Sequence, residues 1–280
     1  MSASADCGLQ PPVVPLKCAL TIATSDSGAG AGIQADLKTF AAHRVYGLSV
    51  LSAVTAQNTR AVTGLECLSP DMVTAQLAAI YDDFPVSAIK IGLLGDAANT
   101  ARVRDFLAEN YAEVPVVVDP VMVSTSGHTF LPTEAVLALK GLMAQAALIT
   151  PNLMEAEVLS GRAINSRADR LAAARVILEG GARNVLVKGG HGRGPGADDL
   201  LLGTVGEIWF EGPRVDTPNT HGTGCTLSSA ICANLASGLD LPASVGRAKD
   251  YVTEGLRHSL APGRGPGPLN HFHAYYNFED

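Results

Sequence analysis

The stretch Cys18–Ala42, CALTIATSDSGAGAGIQADLKTFAA, sets the reading of the whole chain. Cys18-Ala-Leu-Thr-Ile-Ala23 has the near-continuous apolar character of a buried strand. Ser25–Gly32 is a glycine-rich turn, and Ile33–Ala42 is helical in pattern. Strand, turn and helix in that order make one β–α unit.

The unit recurs along the chain. Leu48–Thr55 is β-like. Ser69-Pro70 supplies an N-cap and a proline at the first helical position, opening a helix to about Tyr81. Val86–Ile91 is a strand, and Asp96 caps a helix to about Glu109. Val114–Val118 is a short apolar strand ending at Asp119-Pro120. Thr133–Met143 is helical, Ala147–Thr150 is a strand ending at Pro151, and Asn152–Leu159 is a helix stopping at Gly161. Ala168–Glu179 is a further helix, followed by the strand Val185–Val187 and then Lys188-Gly189-Gly190. Leu200–Leu202 and Glu207–Phe210 flank Gly203–Gly206 as a hairpin, and helices from Cys225 and from about Pro242 follow. Repeated β–α units predict an α/β fold, a parallel sheet covered on both faces. Ligands of such sheets bind outside the C-terminal strand ends. Ser25–Gly32, Gln57-Asn58, Asp119, Thr150–Asn152 and Lys188–Gly190 all fall there. The loop Gly189–Asp199, GGHGRGPGADD, reads equally as a flap over a ligand or as a loose surface loop.

Composition bounds the partners. Of 280 residues, 47% are hydrophobic and 17% charged, which is enough apolar material for a large core. Aromatics are only 5%, so Ala, Val, Leu and Ile must fill it. The net charge of −7 opposes nucleic acid or an anionic membrane as the main partner. The five cysteines, Cys7, Cys18, Cys67, Cys225 and Cys232, are odd in number and include no C-x-x-C pair. Neither a disulfide framework nor a zinc site is expected, and the cytoplasm is the expected location. Residues 1–16 lack the basic start and apolar core of a secretion signal and read as a disordered leader. No apolar run approaches the ~20 residues of a membrane span. With no repeat and no interdomain linker, 17–280 is expected to form one domain.

The chemistry concentrates in Asp216–Ala230, DTPNTHGTGCTLSSA. Gly222 and Gly224 let successive N–H groups point into one cavity. The helix start adds unpaired N–H groups and partial positive charge, a site suited to phosphate. Cys225 falls in the first helical turn, where thiol pKa values are lowered. A glycine-rich cap on an ordinary helix with a buried Cys fits the motif as well. Gly28-Ala-Gly30-Ala-Gly32 is no dinucleotide fingerprint, because Ile33 takes the third glycine's place, and it lacks a P-loop ending. Asp36 either faces the cleft with Asp26 or partners a helix N-terminus. Gln57 offers an amide that can both donate to and accept from one heterocycle, or it closes a strand end. Asn152 and Glu155 are i and i+3 on one helix face. With Asp119 they offer oxygens of the kind Mg²⁺ takes beside phosphate and water, or they form an acidic helix start. Lys188 meets a phosphate as a point charge, or is a solvated strand end.

The segments ALTIATSDSGAGAGIQADLKTF, TAQNT, VSAIKIGLL, DPVMVSTSG, LITPNLMEAE, VLVKGGH, NTHGTGCTLSSAI and GPGPLNHF occur in that order. They closely resemble the hydroxymethylpyrimidine/phosphomethylpyrimidine kinases of thiamine biosynthesis, in the ribokinase-like superfamily, from about Lys17 to about His273. The resemblance implies a three-layer α/β/α sandwich with a mostly parallel sheet, no large separate lid, and usually a homodimer. It implies ATP-dependent phosphorylation of 4-amino-5-hydroxymethyl-2-methylpyrimidine, first to the monophosphate and then to the pyrophosphate, with Mg²⁺. Asp36 and Gln57 would hold the pyrimidine, with Ala31, Leu93 and Val121 lining the same pocket. Gly222, Thr223, Gly224 and Cys225 would cradle the phosphate in transfer. Lys188 and Asn152 would serve ATP, and Glu155 with Asp119 the metal. Superfamily relatives often carry Asp as general base where this chain has Cys225, so a base or positioner is expected rather than a covalent nucleophile. The chain departs from the family pattern at Thr24 and Ala29, where glycine is common, and both tighten the pocket.

Three other functions compete. Pyridoxal kinase shares the chemistry and phosphorylates another ring-borne hydroxymethyl group. Gln57 favours the aminopyrimidine, whose adjacent N and NH₂ match an amide. A catalytically silent sensor would not need Asn152, Glu155, Lys188 and Cys225 together. A thiol hydrolase would need an oriented base, and His221, four residues before Cys225 in a turn, is poorly arranged for that.

Overall fold

The computed structural model describes residues 16–122, 133–190 and 196–275. Nearly all of the expected leader, and the centre of the Gly189–Asp199 loop, lie outside the described residues. β1 (Cys18–Asp26) leads into α1 (Gly32–Ala42), and β2 (Tyr46–Gln57) is followed directly by β3 (Val62–Cys67). Then come α2 (Pro70–Asp83), β4 (Val86–Ile91), α3 (Ala97–Asn110), β5 (Val116–Val118), α4 (Thr133–Met143) and β6 (Leu148–Ile149). α5 (Leu153–Ser160), α6 (Arg167–Glu179), β7 (Asn184–Val187), β8 (Asp199–Gly203), β9 (Gly206–Phe210), α7 (Thr223–Ala236) and α8 (Leu241–Arg257) complete the order.

The strands form one sheet in the order β3-β2-β1-β4-β5-β6-β7-β8-β9. Its six central strands, β2-β1-β4-β5-β6-β7, are parallel, and β3, β8 and β9 add antiparallel edges. From β1 the chain steps to β2 on one side and later to β4 on the other. That reversal opens a crevice at the C-terminal strand ends.

Alternating side chains divide the core into two layers. Leu20, Ile22, Ile89, Ile91, Val116 and Val118 face one side and pack with helices α2 to α6. Ala19, Ala88, Val117, Leu148 and Leu186 face the other, against Phe40 of α1, Ile231 of α7 and Val245 of α8. Small side chains at Ala19 and Ala88 bring α7 close to the sheet, where Ser229, Ala230, Cys232 and Ala233 are fully buried. The expected three-layer α/β/α sandwich is thus observed. Among the described residues no helix is long and apolar enough to cross a membrane.

Local signals set the helix starts. Ser69 accepts a hydrogen bond from the N–H of Met72, and Asp96 from that of Asn99. Two elements differ from the sequence reading. β3 was not anticipated, because most of its residues face solvent and it lacks an apolar alternation. Its pairing with β2 makes it a strand. β1 runs through Asp26 into the predicted turn, because Ser25 and Asp26 pair with Val54 and Thr55 beyond an irregularity.

Candidate active site

Strand ends converge on a cavity of about 740 Å³. Asp26 comes from the end of β1, Leu93 from beyond β4, Asp119 from beyond β5, Asn152 from beyond β6 and Lys188 from beyond β7. α7 closes it from the opposite side, with Gly222, Thr223, Gly224 and Cys225 in the wall.

At the α7 end, Gly222 is the N-cap, in left-handed conformation with φ +75°. A Cβ there would stand 1.8 Å from the carbonyl oxygen of Gly30. Only glycine lets these two loops touch. A Cβ at Gly224 would stand 3.3 Å from Lys188 Nζ and 3.4 Å from Asp119 Oδ2, so the open helix start lies against this charged pair. Lys188 Nζ reaches Asp119 Oδ1 at 2.8 Å. Thr150 Oγ1 and Ser228 Oγ donate to the same carboxylate at 3.2 and 3.3 Å. Burial pushes the Lys188 ammonium down, but Asp119 and Glu155 outweigh it and hold its pKa above the ordinary value.

Asn152 and Glu155 form a capping box. Asn152 Oδ1 accepts from the N–H of Glu155 at 2.9 Å, and Glu155 Oε2 accepts from the N–H of Asn152 at 2.7 Å. The helix-start reading is therefore realised, and both residues still line the cavity. Burial pushes the Glu155 carboxyl up to about 7; Lys188 opposes the shift and Asp119 adds to it. Among the described residues no three His, Cys, Asp or Glu side chains form a metal-binding group. Two neighbouring buried carboxylates, Asp119 and Glu155, still fit a hard cation that completes its shell with phosphate and water.

Gln57 lies beside Thr55 and His221, the residue before the Gly222 cap. Thr55 Oγ1 donates to the Ser25 carbonyl at 2.9 Å and lies 3.3 Å from Gln57 Oε1, and Gln57 Nε2 lies 3.3 Å from His221 Nε2. The same His221 nitrogen lies 3.1 Å from Asp26 Oδ2. Asp26 also accepts from the N–H groups of Gly28, Gly30 and Ala31, tying the glycine-rich turn to the α7 loop. Burial raises its pKa, but His221 and those N–H groups outweigh it and keep it below the ordinary value. Ala31, Leu93 and Val121 also line the cavity. Thr24 turns its hydroxyl away to donate to the Leu93 carbonyl at 2.8 Å, and the Ser52 hydroxyl reaches the same oxygen at 3.1 Å. Ala29 carries φ +59°, a left-handed position in which glycine is easier.

Two expectations are corrected. Asp36 does not line the cavity. It is fully buried on α1, where it accepts from Thr21 Oγ1 and Ser229 Oγ and pairs with Lys90 Nζ at 2.8 Å. Its face of α1 packs onto the sheet, so it meets β1, β4 and α7 instead of a ligand. Cys225 does sit in the first turn of α7, but its thiol pKa is raised, not lowered. Burial pushes it up to about 11, with Asp36 and Asp119 adding to the effect and Lys90 and the Gly32 N–H opposing it. Desolvation exceeds the pull of the helix start. Sequence reasoning also missed Lys90, hidden inside the apolar run VSAIKIGLL, and the link from His221 to Asp26 and Gln57. No motif spacing announces either contact.

The sheet order, the two helical layers and a cavity joining a glycine-rich helix start to an acidic–basic cluster are those of a ribokinase-like kinase. The chain belongs to the phosphomethylpyrimidine kinase family, which matches residues 26–270. A hydroxymethylpyrimidine/phosphomethylpyrimidine kinase of Rhizobium meliloti is 47% identical over 262 residues, covering 92% of this chain and 98% of the relative. An ADP complex of Bacillus subtilis pyridoxal kinase superposes with a TM-score of 0.86 at 36% identity, covering 94% of this chain and all of that one. A phosphomethylpyrimidine kinase of Clostridium difficile superposes with a TM-score of 0.74 at 41% identity, covering 84% of this chain and 97% of that one.

Proposed function

We propose that this chain transfers the γ-phosphoryl group of ATP to the hydroxymethyl oxygen of 4-amino-5-hydroxymethyl-2-methylpyrimidine, and then phosphorylates the monophosphate to the pyrophosphate, in thiamine biosynthesis. The observation that carries this reading is that Gln57 and the Gly222–Cys225 turn share one cavity. An amide able to match adjacent ring N and NH₂ groups and a phosphate-binding helix start face the same space. Ala31, Leu93 and Val121 flank the ring. Gly222 and Gly224 present N–H groups to the phosphoryl in transfer, where fixed donors stabilise charge as it develops, and Thr223 shapes the turn between them. Lys188 and Asn152 serve the ATP phosphates. Asp119 and Glu155 would hold Mg²⁺, which when bound neutralises phosphate charge. Val252 and Leu256 give the nucleotide base an apolar wall. Cys225 receives or positions the hydroxymethyl proton. We read the assembly as a homodimer in the cytoplasm, and 17–280 as one domain.

A second reading, pyridoxal kinase, draws on the high superposition with the Bacillus subtilis enzyme. One experiment separates them. Purified protein is given ATP–Mg²⁺ with the pyrimidine alcohol or with pyridoxal, and products are read by mass. Mono- and pyrophosphate from the pyrimidine, at a kcat/KM well above that for pyridoxal, is expected. The reverse ranking makes it a pyridoxal kinase, and no product from either removes the kinase reading.

A further inference from the structure

His221 Nε2 stands 3.1 Å from Asp26 Oδ2 and 3.3 Å from the Gln57 amide. The imidazole is fixed on several sides. Its ring lies over Gly30, where an added Cβ would stand 2.2 Å from Cδ2 and 2.9 Å from Nε2. Its main-chain N–H donates to the Gly267 carbonyl at 3.1 Å. Both the His221 and the Asp26 side chains are largely hidden from solvent.

Donor counting places the protons. Asp26 already accepts from the N–H groups of Gly28, Gly30 and Ala31, so it is an acceptor toward His221 as well. Nε2 therefore carries a proton, in the neutral ring and in the imidazolium alike. Thr55 has one hydroxyl proton and gives it to the Ser25 carbonyl at 2.9 Å. Toward Gln57, 3.3 Å away, Thr55 Oγ1 offers a lone pair. With Gln57 Nε2 toward His221 and Oε1 toward Thr55, a donor meets a donor and an acceptor meets an acceptor. Amide oxygen and nitrogen have nearly the same shape, so hydrogen bonding decides between the two orientations. A half-turn of the amide turns both contacts into hydrogen bonds. His221 Nε2–H is then shared by Asp26 and Gln57 Oε1, and one Gln57 N–H goes to Thr55 Oγ1. One N–H and one lone pair of the amide remain for a ligand.

We propose that His221 is a specificity-determining positioning residue: through its Nε2 proton, held by Asp26, it fixes the Gln57 amide with oxygen toward His221 and nitrogen toward Thr55. The inference rests on the reading of Gln57 as the residue that pairs with the substrate ring. A fixed amide recognises one order of donor and acceptor. Its N–H serves a ring nitrogen that accepts, and its oxygen serves the neighbouring exocyclic amine that donates. In a 4-oxo ring the order is reversed, since the ring N–H donates and the exocyclic oxygen accepts. Pairing with that ring needs the opposite amide orientation, which breaks the contacts with both His221 and Thr55. The ring cannot turn over instead, because its hydroxymethyl group must reach the phosphate in transfer. The site therefore takes the amino ring and rejects its 4-oxo counterpart.

The test compares kcat/KM, at saturating ATP–Mg²⁺ and on the full chain, for the pyrimidine alcohol and for its 4-oxo analogue. Wild type should prefer the amino ring. His221→Leu removes the N–H, leaves Asp26 its main-chain donors, and frees the amide to turn. It should narrow the preference about tenfold or more, the scale of one buried polar mismatch. Thr55→Val, which removes the lone pair on the other side, should narrow it as well. His221→Gln, whose NH₂ can serve both Asp26 and Gln57, should keep it. A merely structural role for His221 would lower both values together and leave their ratio unchanged. That result in His221→Leu, or no preference in wild type, overturns the proposal. Should the variants not fold, the wild-type amide is read directly by NMR. NOEs from the Gln57 Nε2 protons are expected to the Thr55 side chain; NOEs to the His221 ring C–H groups in their place overturn it. Gln57→Ala with an unchanged kcat/KM for the pyrimidine would remove the reading of Gln57 beneath the proposal. A costly Gln57→Ala beside an unchanged ratio in His221→Leu removes the role of His221 alone.

Discussion

At Gln57 the amide lines the cavity beside Thr55 and His221. A ring that pairs with this amide gains a defined orientation. Removing the amide leaves ring polar groups unsatisfied, at roughly 1–3 kcal/mol. Gln57→Ala is therefore expected to raise the pyrimidine KM roughly tenfold or more, with a smaller effect on the KM for ATP. An unchanged kcat/KM for the pyrimidine takes Gln57 out of the site. The same scale shows what a sequence can hold. The residue types of the site were legible in it: glycines before a helix, an amide after a strand, a lysine at a strand end. Their directions were not. Asp36 and Gln57 looked like partners, yet one faces the sheet and the other the cavity. A helix periodicity of 3.6 residues does not say which buried group an inward-facing Asp will meet, and Lys90 lies far away in sequence. The Cys225 thiol makes the same point in energies. Its place at a helix start was legible; the burial that reverses its pKa depends on the surrounding layers.

Capped helix starts were the most legible elements, because a cap is a contact between residues three apart in sequence. Ser69, Asp96 and the Asn152–Glu155 pair all form as their spacing predicts. β3 was not legible, since an exposed edge strand has no buried face to leave a pattern. α7 is the element on which the site depends. Its small residues seat it against the sheet, and Gly222 lets its first turn meet the Gly30 carbonyl. Gly222→Ala adds both a backbone penalty at φ +75° and a collision with main chain. Gly238, beyond the other end of α7, has φ +89° with nothing within 4 Å of an added Cβ, so Gly238→Ala carries the backbone penalty alone. Gly222→Ala should lower Tm more than Gly238→Ala and abolish most turnover, whereas Gly238→Ala should keep wild-type kcat. Equal activity losses in the two would mean that the Gly222–Gly30 contact does not shape the site.

Across the whole molecule, the lysines of the cavity wall are bound in pairs: Lys188 with Asp119, Lys249 with Asp199, and Lys90 with Asp36 beneath the wall. Glu155 is the carboxylate that this pairing serves least, since Lys188 is already bonded to Asp119. Its pKa of about 7 lies above the ordinary 4.5, because burial disfavours its charge. A group whose folded pKa is raised holds extra protons in the folded state. Its contribution to stability is full below about 4.5 and is lost as pH rises through about 7. Asp26 has the opposite sign: its lowered pKa contributes stability above the ordinary value of 3.8, lost as pH falls further. The ligand-free protein should therefore lose thermal stability between about pH 5 and pH 7.5 through Glu155, and separately in strong acid through Asp26. Glu155→Gln keeps an oxygen for the Asn152 N–H but cannot ionise, so its Tm should stay flatter across pH 5 to 7.5. In a chain of this size each kcal/mol moves Tm by about 2–4 °C, so the two curves should part by several degrees at the upper end. Mg²⁺ with ATP should raise the wild-type curve at pH 7.5 more than that of the variant, because the ionised carboxylate then has a cation to meet. The measurement is differential scanning fluorimetry of both proteins over that range, with and without Mg²⁺–ATP. Parallel curves in its absence would mean that Glu155 is ionised throughout, and that burial does not hold its proton.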